Sequence, residues 1–326
     1  PLTPTRPPPT TTLNATRRQR QMCIRDSSSF VATQGCVSCH MQAATGDVRI
    51  STRPMNGLDP RPDFSRHQFV GGNTYMLDLI AQNAAELQVT ATGFESLLDE
   101  TRILLGTATS LGIEAVAREG DDLVFSVQVT NRSGHKFPTS YPSRRAWLHV
   151  TVTDAAGVVV FESGAIDATG RISGVNSDAN IADYEQHHTE ISSSEQVQVY
   201  ETVMEDQGGT LTYTLLEAAR YRKDNRLLPD GMDKAAVPAT IQPQGVAFTD
   251  PDFTDGGDRV DYRVSGLNPG DLTIRVELNY QVLAFGHAED LFSDVDDPYV
   301  AAFQALNAGA AQRFETDSSA SQLFNF

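Results

Sequence analysis

Residues 35–41 read Gly-Cys-Val-Ser-Cys-His-Met and contain two of the chain's three cysteines, Cys36 and Cys39, with His40 immediately after them. Two thiols three positions apart can bond the two vinyl groups of one haem, and the imidazole that follows is then placed beneath the iron as its proximal ligand. Two other uses of a C-x-x-C pair fit less well. A thioredoxin-like pair lies between a strand and a helix of a βαβ unit, a pattern that residues 29–60 do not show. A structural zinc site needs a second Cys/His pair at ligand spacing, and none follows. The expectation is one haem c, held by thioether bonds at Cys36 and Cys39 and ligated by His40.

The second axial position needs another ligand. His67 stands in Arg-His-Gln-Phe-Val-Gly-Gly-Asn before a helical stretch, and His135 in Asn-Arg-Ser-Gly-His-Lys-Phe-Pro-Thr between two strand-like runs. Both loops carry glycine, where backbone can approach a flat cofactor. His67 is 27 residues beyond His40 and His135 is 95 residues beyond it. The longer closure costs only about 1 kcal/mol more entropy, so distance does not exclude His135. A local ligand completes the site before the rest of the chain docks, which narrowly favours His67. His149 reads as a sheet-face side chain in the strand AWLHVTV. One of His187 and His188 is a weaker candidate ligand, Met41, Met55 and Met76 are weaker still, and His287 has no assigned role.

The elements that must position these residues change character along the chain. Met76, Leu77, Ile80, Ala84 and Leu87 recur at helical steps, and Phe94, Leu97, Leu98 and Leu105 resume the pattern after a break at Thr90–Gly93. From Gly120 the period becomes two. Strands are expected near 123–129, 145–153, 157–162, 195–204, 210–216, 259–265 and 272–282, with a hairpin turn at Asp154–Gly157. Few helical stretches separate them, so 120–283 reads as a self-contained antiparallel β-sandwich. Tyr299, Phe303, Leu306, Ala310 and Phe314 make the apolar stripe of a helix that begins at Pro298. The fold class is therefore α+β. A leader spans 1–28, a haem-binding helical region 29–115, the sandwich 116–285, and a C-terminal helix and tail 286–326.

Two loops carry further polar chemistry. Lys223–Gly231 reads as a structured turn in which Asp224 and Asn225 bond local backbone. Asp250-Pro-Asp252-Phe-Thr-Asp255-Gly-Gly-Asp258 places four carboxylates in nine residues. That composition suits Ca²⁺, but the spacing departs from the EF-hand register and no Glu closes it, so a solvated acidic turn is the plainer reading.

Lys and Arg number 25 against 42 Asp and Glu, a formal net charge of −17, so nucleic acid is not an expected partner. No apolar run is long enough for a transmembrane helix. The proline-rich, then arginine-rich opening has no apolar core of the kind a signal peptide needs. Its RRQRQMCIRDS resembles translated sequencing-adapter read-through. Residues 1–28, with Cys23, are set aside as non-native or disordered, and the chain is expected to begin inside a longer protein.

Taken together, Cys-Val-Ser-Cys-His-Met (36–41), His-Gln-Phe-Val-Gly-Gly-Asn (67–73) and the run from Asn131 to Leu148 resemble a group of multihaem c-type cytochromes with a C-terminal β-sandwich. Val-Val-Phe-Glu-Ser-Gly (159–164) and Lys-Asp-Asn-Arg-Leu-Leu-Pro (223–229) add to the resemblance, which covers residues 29–315. It implies that His67 and His135 are distal haem ligands, although a single C-x-x-C-H stands where several are expected. Either histidine could then serve a haem whose attachment motif lies upstream. It further implies electron transfer in a respiratory or extracellular chain, redox proteins or other cytochromes as partners, and a periplasmic or cell-surface location. The rival readings are a multihaem oxidoreductase acting on a small nitrogen or sulfur compound, which requires an open iron position, and a binding module. The balance favours an electron-transfer protein over an enzyme.

Overall fold

A computed structural model describes residues 35–49 and 59–325 of the chain. The expected leader at 1–28, Cys23 and Met55 lie outside the described residues.

Three helices form the first part. Helix α1 (Gly35–His40) carries the two cysteines and His40. Helix α2 (Thr74–Gln82) starts at Asn73, whose side-chain oxygen accepts from the Met76 amide at 2.9 Å, satisfying one of the donors a helix start leaves open. Helix α3 (Phe94–Leu105) follows Gly93, whose φ of +93° suits glycine best. The two longer helices fall where the apolar periodicity placed them, and the break between them is as expected.

Two sheets then face each other. One has the order β1 (Thr109–Glu119), β2 (Asp122–Asn131), β10 (Gly257–Val264), β5 (Glu190–Ile191). The other runs β12 (Glu315–Asn325), β11 (Asp271–Gln281), β3 (Arg145–Asp154), β4 (Val159–Ser163), and β6 (Val199–Tyr200) also pairs with β3. A small third sheet joins β7 (Thr202–Glu205), β8 (Leu211–Thr212) and β9 (Arg220–Asp224). Among the described strands every pairing is antiparallel except β10 with β5. Leu123, Phe125, Val127 and Val129 pack with Val260, Tyr262 and Val264 against Leu148, Val150, Val152, Ile274, Val276 and Leu278 in one buried cluster. A one-residue slip would turn each of these rows to the other face, so burial fixes the register. Tyr75, Leu79 and Leu105 of the helices belong to the same cluster.

The turn between β3 and β4 is the expected one. Asp154 Oδ1 accepts from the amides of Ala156 and Val158, both at 2.9 Å. His149 lies on the outer sheet face between Glu162 (2.9 Å) and Glu277 (3.2 Å), as its alternation implied.

Several strands depart from expectation: the stretch 195–204 is split into β6 and β7 of different sheets, 210–216 shrinks to β8, and β5 was not foreseen. β1 begins at Thr109, inside the stretch assigned to the helical region, and a bulge between Glu114 and Ala117 interrupts its alternation. The segment expected as one helix and a tail is two helices, α6 (Phe285–Phe292) and α7 (Pro298–Ala308), followed by β12. β12 is an edge strand whose alternate residues face water, so its sequence lacks an apolar row, and β11 supplies the pairing. β9 lies partly within the Lys223–Gly231 stretch expected as a turn. Helices α4 (Asn176–Ala179) and α5 (Val246–Thr249) are single turns.

Candidate cofactor site

A cavity of about 350 Å³ opens between the helical part and the sandwich, within the size range of ligand pockets. Cys36, Cys39 and His40 form one wall, and the loop from Arg132 to Thr139, between β2 and β3, forms the facing one. Leu104, Leu105, Ala108, Phe137 and Tyr280 make the remaining wall largely apolar, and the backbone of Gly71 and Gly72 completes it. A Cβ on Gly72 would stand 3.2 Å from Leu105 Cδ2 and 3.3 Å from the Tyr280 hydroxyl. Glycine at 72 therefore keeps this wall close to its neighbours without crowding them.

His40 is oriented from behind. Its Nδ1 lies 2.6 Å from the Val70 carbonyl, and the Val70 amide returns a bond of 3.2 Å to the His40 carbonyl. A carbonyl oxygen can only accept, so His40 donates its Nδ1 proton to it, and in the Nδ1–H tautomer the lone pair is on Nε2.

His135 reaches the same state by other contacts. Its Nδ1 donates to the Lys136 carbonyl at 3.0 Å, so its Nε2 is also a free lone pair. Burial holds this imidazole below its ordinary pKa, partly offset by the Lys136 carbonyl bond and reinforced by the charges of His40 and Arg226. Both histidines thus donate from Nδ1, the arrangement in which Nε2 is the ring nitrogen left for a metal.

The loop carrying His135 is firmly tied. Asn131 Nδ2 donates to the carbonyls of His135 (2.8 Å), Leu228 (3.0 Å) and Leu227 (3.2 Å). Asn131 Oδ1 accepts from Ser133 N and Oγ. Phe137 and Leu227 exchange backbone bonds of 2.9 and 2.8 Å. Beneath them, Lys136 Nζ bonds Asp224 at 2.9 Å, and Arg226 donates to the same carboxylate twice, at 2.8 Å. Against burial, which alone would raise it, Arg226 and Lys136 hold the Asp224 carboxyl well below the usual carboxylate range.

The rings of His40 and His135 have centroids 6.3 Å apart and planes 18° from parallel. An imidazole bonds a metal at about 2 Å and its nitrogen lies roughly 1 Å from the ring centre, so two imidazoles on opposite sides of one metal have centroids about 6 Å apart. The spacing therefore fits two axial ligands of one iron. The two thiols beside His40, the apolar walls and the two imidazoles have the chemistry to hold a haem, with His135 rather than the favoured His67 opposite His40.

The structure places the other histidines away from this cavity. His67 is exposed, packs against the Phe69 ring at 5.9 Å and does not line the cavity. Its neighbours Val70, Gly71 and Gly72 belong to the site instead. His188 bonds Glu185 at 2.6 Å, and His187 is enclosed among Asp250, Gln198 and Asn225. His287 is half-buried beside Tyr213. Sequence reading missed the two carbonyls that set the tautomers and the Asp224–Arg226–Lys136 cluster. The Gly71–Gly72 pair was the one available signal for the first of these.

No family model matches the chain, and no curated protein does. Among solved structures it is similar to a penta-haem cytochrome c552 from Thermochromatium tepidum, with 15% sequence identity and a TM-score of 0.49. The match covers 94% of this chain and 50% of that one, so the chain spans about half the length of that cytochrome. A likeness of this size carries no argument about function, which has to come from the site itself.

Proposed function

We propose that Cys36 and Cys39 bind a haem c covalently, that His40 and His135 fill its two axial positions, and that the protein transfers electrons as part of a multihaem respiratory or extracellular chain. The observation that carries this reading is the pair of facing imidazoles, 6.3 Å apart, each with Nδ1 committed to a carbonyl, beside the two thiols. A haem ligated on both faces supplies outer-sphere electron exchange and leaves no iron position for substrate.

The chain's own residues prepare that role. Val70 and Lys136 hold the two protons away from the iron-facing nitrogens. Leu104, Leu105 and Phe137 keep water from the site, and Arg132 and Arg144 on the same walls supply positive charge toward carboxylate groups of a bound cofactor. Among the described residues no helix is long and apolar enough to cross a membrane. Attachment of haem c outside the bacterial cytoplasm points to a periplasmic or cell-surface protein, with redox proteins or other cytochromes as partners.

The test is the absorption and electron paramagnetic resonance spectrum of protein matured with a haem c assembly system. The haem should resist acid-acetone extraction. His135→Ala should convert low-spin iron to high-spin, while His67→Ala should leave the spectrum unchanged. The reverse pattern would return the distal position to His67.

A further inference from the structure

By composition the acidic loop 250–258 suits a solvated turn. The structure divides it. Asp255 turns outward, and its Oδ1 accepts from the Gly231 amide at 2.9 Å. Asp250 and Asp258, 3% and 0% exposed, turn inward beside His187. One carboxylate oxygen from each and one ring nitrogen of His187 lie within 4.8 Å of one another, the one such group of three or more among the described residues. We propose that Asp250, Asp252 and Asp258 form an all-oxygen site for a hard divalent cation, Ca²⁺, with His187 as the residue that orients Asp250.

The oxygens show an unfilled requirement. Asp258 Oδ2 accepts from Tyr200 at 2.7 Å and from Gln198 at 3.0 Å. Its Oδ1 is buried, has no hydrogen-bond partner, and points to within 4.0 Å of His187 Nε2. Asp252 Oδ1 is likewise buried and unpartnered. Such orphaned oxygens are rare in folded proteins and call for a ligand. Lys234 does not meet the need, because its ammonium group donates to the backbone carbonyls of Ala247 and Asp250.

The hydrogen bonds also decide which kind of cation fits. His187 Nδ1 faces two amide donors, Gln198 Nε2 at 2.8 Å and Asn225 Nδ2 at 3.1 Å. Neither amide can be turned over. Gln198 Oε1 accepts from the His188 amide, and Asn225 Oδ1 accepts from the Glu201 amide. His187 must therefore carry its proton on Nε2 and donate it to Asp250 Oδ2 at 2.8 Å. That nitrogen is not a metal ligand, which removes the preference for zinc and leaves carboxylate oxygens alone. Ca²⁺ binds oxygen at about 2.3–2.6 Å, so two oxygens on one ion lie up to about 5 Å apart, as the 4.8 Å limit for the Asp250 and Asp258 oxygens allows. The Asp252 side chain is 42% exposed and opens the site to solvent, whose waters complete the coordination.

The test uses the full chain after dialysis against EGTA. Millimolar CaCl2 should raise its thermal unfolding midpoint by a few degrees, and calorimetry should show one Ca²⁺ per chain. Asp258→Asn and Asp252→Asn should each weaken binding roughly tenfold or more. Asp252 is half-exposed, so its variant keeps the test open if Asp258→Asn does not fold. No stabilisation by Ca²⁺, or unchanged Ca²⁺ affinity in Asp252→Asn, would overturn the site. Tighter binding of ZnCl2 than CaCl2, lost in His187→Gln, would overturn the all-oxygen assignment.

Discussion

His40 and His135 face each other across one cavity but are anchored in unlike surroundings. His40 sits on a short helix held to the 67–73 loop by the Val70 backbone exchange. The ion pair nearest that loop, Arg66–Glu100, spans 3.8 Å with the arginine 43% exposed. On the sandwich side the Lys136–Asp224–Arg226 cluster is buried throughout, at most 8% exposed in any side chain. Charges in water hold little, because solvent and salt screen them. Buried charges with every partner in place hold a loop strongly, because losing one partner strands the others. One wall is thus closed by hydrogen bonds to backbone, and the other by a desolvated polar network.

Removing a member of the buried network should have the largest effect. Asp224→Asn leaves Lys136 and Arg226 without a carboxylate and is expected to cost about 3–5 kcal/mol in urea unfolding. It should also weaken the low-spin signature by loosening the His135 loop. A cost below about 1 kcal/mol would show that the two walls do not differ as described. Gly72→Ala tests the helical wall, where the new methyl meets Leu105 and the Tyr280 hydroxyl. About 1–3 kcal/mol of destabilisation is expected from overpacking, together with a shifted haem spectrum.

A smaller effect should come with pH. Burial, with help from Arg145, drives His287 down to about 3. Its folded pKa lies below its unfolded one, so between about 6.5 and 3 the unfolded chain binds the extra proton, and stability falls as pH falls. His287→Leu should remove about 1 kcal/mol of the loss between pH 7 and 5.5, read from urea midpoints at the two pH values. Glu100→Gln, at the half-exposed pair, should change stability by about 1 kcal/mol at most. A larger loss there would move anchoring energy to the helical wall and erase the contrast.

The alternation of β2, β3, β10 and β11 was legible in the sequence because these strands bury one continuous face, and period two records that directly. The edge strands were not. β1 is broken by its bulge and β12 meets water on alternate residues, so neither carries the signal, and both lie outside the 120–283 stretch that looked self-contained. The site divides in the same way. Cys36, Cys39 and His40 lie within five residues on one short helix, so the sequence by itself determined that they stand together. Which imidazole faces His40 is a matter of packing. His67 is nearer along the chain, yet the backbone after it serves the cavity while its ring turns outward. His135 is brought across by the β2–β3 connection and the ions beneath it. The inward turn of Asp250 and Asp258 toward His187 depends equally on β10 lying beside β5. Contacts between residues distant in sequence are set by sheet register and burial, which no local pattern encodes, and so only the tertiary structure could decide them.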